Sequence, residues 1–192
     1  MSKKTSLVGI IAEDDSDVES IRLLIKRISG KENIGAKKFV GKGCGKIKRK
    51  CSAWANQLKQ KGCGVLIVVH DLDRNQEGIL RKQIIDSLVP NPFSKWLVSI
   101  PTEELEAWLL SDSNAIKDAL KLRKMPDNIH HPETVISPKE HLGSIVEKCS
   151  DDTVVYINTK HNSKIVEKID VSQISIKCPS FVSFHDFISE HF

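Results

Sequence analysis

Two short acidic runs hold the residues best suited to chemistry: Glu13-Asp14-Asp15-Ser16-Asp17 and His70-Asp71-Leu72-Asp73. Residues two apart in an extended segment point the same way, so Asp71 and Asp73 can address one cation. Mg²⁺ is satisfied by a few carboxylates and its own waters, and Glu13 with the two aspartates would suffice for Mg²⁺ or Mn²⁺. Such an ion polarises a phosphate and lowers the pKa of an attacking water. Without a cation, that much negative charge in one place costs folding energy. Asp15, Asp17 and Glu19 read differently, as acids complementing a helix N-terminus.

The elements that position these residues follow from the patterning. Leu7 to Ala12 is an unbroken apolar run of strand length, as expected of a buried parallel strand. Ser16 is the expected N-cap of the next helix, with Glu19 completing a capping box and Gly30 ending it. Ile34 to Val40 suits a second strand. Gly41, Gly43 and Gly45 mark a loop, and a basic helix from Lys46 to Lys61 places Ile47, Cys51, Trp54 and Leu58 on one face. Val65 to Val69 is the strongest strand signal.

A helix over Glu77–Leu88, a strand over Trp96–Ile100 and a helix over Glu103–Leu110 capped by Thr102 follow, with Asp112 capping another. Residues 124–137 read as an irregular connection. The chain closes with a helix over Lys139–Cys149, a strand near Val154–Ile157 and helices near Ser163–Ile169 and Phe181–Ile188, the last capped by Ser180. Strands alternating with helices predict a mainly parallel sheet with flanking helices. In such sheets ligands bind beyond the carboxyl ends of the strands. Both acidic runs stand there.

Composition sets the frame. With 192 residues, 40% apolar and 28% charged, the chain can bury a sizeable core. No apolar run is long enough to cross a bilayer, and the first residues lack a cleavable leader pattern, so the expectation is a cytoplasmic protein away from membranes. Five cysteines without a Cys-x-x-Cys pair argue for reduced thiols rather than disulfides or structural zinc.

The net charge of +4 is unevenly spread: ten Lys or Arg but one acid lie between Lys31 and Lys61. A basic stretch beside an acidic focus suits an enzyme acting on a polyphosphate or nucleic acid, DNA or RNA. Lys46, Lys48, Arg49 and Lys50 are the expected phosphate-binding residues. The glycines around Lys46 have the wrong spacing for a nucleotide-binding P-loop, and Ile47 stands where a Ser or Thr is needed. His70 should point away from Asp71 and be structural. Lys160 is a candidate positive group for a scissile phosphate.

These residues resemble a known family. Ile-Ile-Ala-Glu13 with its acidic turn resembles the first toprim motif, and Val-Val-His-Asp71-Leu-Asp73 resembles the toprim Asp-x-Asp motif. Ile100-Pro-Thr-Glu-Glu-Leu-Glu106-Ala-Trp108-Leu-Leu is similar to a segment of small prokaryotic toprim-like proteins of unknown function, as are Ser137-Pro-Lys139 and Cys178-Pro-Ser180-Phe181. Asp14 stands where many toprim proteins carry Gly. Toprim domains occur in topoisomerases, primases, recombination nucleases and the overcoming-lysogenization-defect nucleases.

The resemblance implies a Rossmann-like core over residues 1–123, with 124–192 as a helical C-terminal annex completing the same domain. It implies metal binding by Asp71 and Asp73, and metal binding or proton transfer by Glu13. A third segment completes the metal site, through Glu106 or its competitor Glu103. The implied activity is that of a Mg²⁺- or Mn²⁺-dependent nuclease, with anti-phage defence as a setting. Because the chain has no ATPase motif, a companion ATPase or defence protein is expected, and homo-oligomerisation is left open.

Two other readings compete. A receiver domain would use Asp14 and Asp15 for metal and Asp71 as phosphoacceptor, but it calls for a Ser or Thr and then a Lys-Pro that Ser99 to Thr102 do not supply. A non-catalytic toprim-like subunit of a larger complex is the other.

Overall fold

A computed structural model describes residues 6–42 and 44–192. Met1 to Thr5, on which the reading of an unexported N-terminus rests, lie outside the described residues, as does Gly43 of the expected glycine loop. Four strands form one parallel sheet: β1 (Ser6–Ala12), β2 (Ile34–Val40), β3 (Val65–Val69) and β4 (Trp96–Ser99), in the order β2-β1-β3-β4. Val8 to Ile11 of β1 pair with Val65 to Val68, and Leu66 to Val69 pair with Trp96 to Ser99. The chain steps outward from β1 to β2 and then crosses back to β3. The direction of winding therefore reverses between β1 and β3, and a crevice opens beyond their carboxyl ends.

Alternation along the strands divides the core in two. Ile11, Leu66 and Val68 face helices α2 (Cys44–Gln60) and α3 (Glu77–Ser87), meeting Ile47, Cys51, Leu58, Leu80 and Ile84. Gly9 admits the close approach of α2, because a Cβ there would stand 3.0 Å from Leu58 Cδ1. On the other face Val8, Ile10, Ile67 and Val69 pack with α1 (Asp15–Ser29) and with side chains from the second half of the chain, among them Trp108, Phe181 and Phe184. The later elements are α4 (Glu106–Leu109), α5 (Ser113–Leu120), a 3-10 turn at Pro132–Thr134, α6 (Pro138–Ser150), α7 (Asn158–Lys168), α8 (Val171–Lys177) and α9 (Pro179–His191).

The α/β architecture with a helical C-terminal part is as the periodicity predicts, but several local expectations fail. Asp14, not Ser16, caps α1: its carboxylate accepts from the backbone N–H groups of Ser16 (2.7 Å) and Asp17 (3.0 Å). Asp17, not Glu19, closes the capping box by accepting from the Asp14 N–H. An ionised carboxylate binds these orphan donors more strongly than a hydroxyl does. Glu19 instead pairs with Arg22. The expected C-cap holds, with Gly30 at φ +67°.

Segment 101–105 does not begin a helix at Thr102. The Leu72 and Asp73 N–H groups donate to the carbonyls of Pro101 and Glu103, which prolongs the ladder past β4 and delays α4 to Glu106. Residues Val154–Ile157 form no strand, because side chains take their backbone donors: Val154 N–H goes to Ser150 Oγ and Ile157 N–H to His161 Nδ1. Helix α7 starts five residues early, and α8, capped by Asp170, is unanticipated. Ser180 does not cap α9, where Cys178 is the cap and Pro179 the first residue. Its hydroxyl accepts from Trp108 Nε1 and donates to Glu133. Cys51, Cys63, Cys149 and Cys178 are buried free thiols. Among the described residues no helix is long and apolar enough to cross a membrane.

Candidate functional site

Beyond Ala12 and Val69 the alternation of the strands decides which way each side chain goes. Glu13 continues the row of Ile11, and His70 the row of Leu66 and Val68, so both lie on the α2 side of the sheet end. Asp71 continues the row of Ile67 and Val69 towards α1. Asp73 leaves this alternation at φ +47°, so the simple two-residue repeat expected to align it with Asp71 does not carry through. Asp73 stands on the exposed rim, next to Glu103, which is itself at φ +59°.

On the α1 side three carboxylates share a buried space. Asp71 Oδ1 accepts from the Leu105 N–H at 3.0 Å. Asp17 is only 6% exposed and Glu106 only 4%. The Asp71 carboxyl is held well above its usual range, by burial first and then by the charges of Asp17, Glu106, Glu13 and Asp73. The Asp17 carboxyl is raised likewise, by burial and then by Asp14 and Glu106, with the Asp14 N–H pulling the other way. Asp73 is raised by partial burial and then by Glu13 and Glu103, with His70 opposing. These groups repel one another across little water, and either protons or a cation would relieve them.

Glu106 Oε1 accepts from Asn162 Nδ2 at 3.0 Å and lies 3.3 Å from the Tyr156 hydroxyl. Asn158, at the start of α7, donates to Asp14 Oδ2 and Ser16 Oγ, both at 3.2 Å. The wall contributed by the C-terminal half is therefore lined with neutral donors.

On the α2 side His70 is fully buried. Its Nδ1 lies 2.8 Å from its neighbour's carbonyl, Asp71 O, and 3.0 Å from Glu13 Oε1. The proton on Nδ1 is directed at the carbonyl, and the contact with Oε1 lacks hydrogen-bond direction. Glu13 Oε1, although buried, is left without a hydrogen bond among the described residues. Burial lowers the His70 pKa, but Glu13 and the Asp71 carbonyl outweigh it, and the net shift is upward. Lys48 of α2 is close enough to oppose that rise.

Of the residues singled out in the sequence, Glu13, Asp71 and Glu106 are brought into one charged neighbourhood, with Asp73 at its edge. Lys48 reaches the Glu13 side, whereas Lys46, Arg49 and Lys50 are exposed along α2. Lys160 is exposed on the first turn of α7, about 200° around the helix from Asn158. Asp17 and His70, expected in helix-end and structural roles, are both members of the cluster. Among the described residues no three His, Cys, Asp or Glu side chains are arranged to hold a metal ion as they stand. The donor set nonetheless fits a hard divalent cation, being all carboxylate oxygen and including the orphaned Glu13 Oε1.

Comparison with known proteins adds a family without an activity. The model of the domain of unknown function DUF4276 matches residues 12–189, and the chain belongs to that family. No curated protein and no solved structure matches it.

Proposed function

We propose that this DUF4276 chain is a Mg²⁺- or Mn²⁺-dependent phosphodiester hydrolase of the toprim type, acting on nucleic acid. The reading is carried by the convergence of Glu13, Asp71 and Glu106, with Asp17, at the point where the sheet reverses its winding. Glu13, Asp71, Asp73 and Glu106 would hold the cation, which supplies a polarised phosphate and a more acidic water. Glu13 also accepts the proton of the attacking water, with the buried His70 ring standing against its Oε1. Lys48 and the exposed Lys46, Arg49 and Lys50 draw phosphates in from the α2 side. Lys160 adds positive charge on the α7 side. The resemblance to the overcoming-lysogenization-defect nucleases supports a setting in phage defence beside a companion ATPase.

The test is direct. Purified protein should nick plasmid DNA or degrade RNA with Mn²⁺ and stop doing so with chelator. Asp71→Ala and Glu13→Ala should each reduce cleavage to background. Cleavage surviving both substitutions would place the activity elsewhere and defeat the proposal.

A further inference from the structure

Glu106 is nearly fully buried among other acids, yet no Lys or Arg pairs with it among the described residues. Buried charges are ordinarily paired. Here two neutral groups from a segment about fifty residues downstream take that place. Asn162 is fully buried and donates through Nδ2 to Glu106 Oε1. The Tyr156 hydroxyl has one proton and two neighbouring acceptors, Asn162 Oδ1 and Glu106 Oε1. At 3.3 Å the contact with Glu106 Oε1 is too long for a good O–H···O bond, so the proton goes to Asn162 Oδ1. A phenol donating to Oδ1 leaves the amide only one useful orientation, with Nδ2 towards the glutamate.

We infer that Asn162 is a positioning residue for Glu106, and that Tyr156 fixes which way its amide points. This rests on the cation site proposed above. The relay takes up Oε1 and leaves Oε2 without a hydrogen-bond donor among the described residues, as a ligand oxygen with a fixed direction. Because Asn162 and Tyr156 are both neutral, no positive side chain competes with the cation for Glu106. A lysine in the same place would neutralise it and compete. Outer groups that orient metal-binding carboxylates are worth about 10–100-fold in metal affinity.

The experiment titrates Mn²⁺ into the full chain by calorimetry or by the spin-resonance signal of free Mn²⁺, and so needs no substrate. Asn162→Ala should weaken Mn²⁺ binding by about 10–100-fold. Tyr156→Phe, which keeps the ring and removes only the hydroxyl, should weaken it in the same direction and carries the test if Asn162→Ala does not fold. The discriminating arm is Glu106→Gln, which should also weaken binding, combined with each of the other two. If Asn162 and Tyr156 act through Glu106, neither weakens binding further in the Glu106→Gln background. Additive losses would mean general damage to the fold and overturn the inference, as would wild-type affinity in both single variants. Absence of Mn²⁺ binding by the wild-type chain would overturn the cation reading along with it. Wild-type binding with no response to Asn162 or Tyr156 would leave that reading standing and remove only the relay.

Discussion

Replacing Asp17 by Asn should make the protein more stable at neutral pH. The amide still offers an oxygen to the Asp14 N–H that Asp17 Oδ2 now accepts at 3.1 Å, so the capping box survives while one buried charge is lost. Asp17 and Asp71 both hold their protons to higher pH when folded than at the ordinary value of 3.8. From 3.8 up to the folded-state values the native chain therefore binds more protons than the unfolded one, and stability falls as pH rises. Below that window the stability is fully present, and above it no more is lost.

One such proton is worth about 1.4 kcal/mol per pH unit at its steepest, and two about 2.7 kcal/mol. Asp17 is also the leading charge acting on Asp71, so its removal abolishes one contribution and shrinks the other. The slope should at least halve. For a chain of this size 1 kcal/mol is about 2–4 °C, so the variant should gain roughly 3–6 °C on the wild type per pH unit through the window. Thermal unfolding followed by circular dichroism from about pH 3.5 to 8, with chelator present, measures this. The two melting curves should converge at the acid end, and Mg²⁺ or Mn²⁺ should restore more stability to the wild type than to the variant. Parallel slopes, or a variant less stable than the wild type above the window, would refute the idea that repulsion is stored in this cluster.

Two further outcomes are expected. Replacing Lys48, Arg49 and Lys50 together with Gln should weaken nucleic-acid binding across all sequences and flatten its salt dependence. The log–log slope should fall by about 0.9 for each duplex phosphate that the protein no longer neutralises, or about 0.7 for single strands. An unchanged slope in a fluorescence-anisotropy titration would reduce the basic face of α2 to a solvated surface. Incubation with acetyl phosphate should leave Asp71 unmodified, because a phosphoryl group there would add charge against Asp17 and Glu106 in a buried space. Acid-labile phosphate on Asp71 would instead establish the receiver reading.

The strands were legible because buried parallel strands read as unbroken β-branched runs, and Leu7–Ala12 and Val65–Val69 are such runs. Knowing where they end was enough to find Glu13 and Asp71. Asp17 was missed for a physical reason: an acid in the first turn of a helix is ordinarily a solvated partner of the helix dipole. Here the capping box turns its carboxylate inward, and only the tertiary position of α1 reveals that. Asn162 and Tyr156 carry no signal at all, since a neutral amide and a phenol on a late helix and loop match no spacing rule. Thr102 and Val154–Ile157 misled because local propensity was overridden, in one case by a prolonged ladder and in the other by side chains taking the backbone donors.

His70 shows how a correct local argument can miss its consequence. Alternation does send it to the opposite side from Asp71, but the same alternation sends Glu13 to that side as well. The sheet edge therefore divides the site into two unlike halves. Glu13, His70 and Lys48 stand towards α2, where protonatable and positive groups accompany a single carboxylate. Asp17, Asp71 and Glu106 stand towards α1 and α7, where three carboxylates meet only neutral donors. A phosphate is repelled by the second half and tolerated by the first. On the proposed reading, the nucleic acid approaches over α2 and the cation is gripped from the α1 side, so the scissile phosphate is caught between them at the β1–β3 boundary.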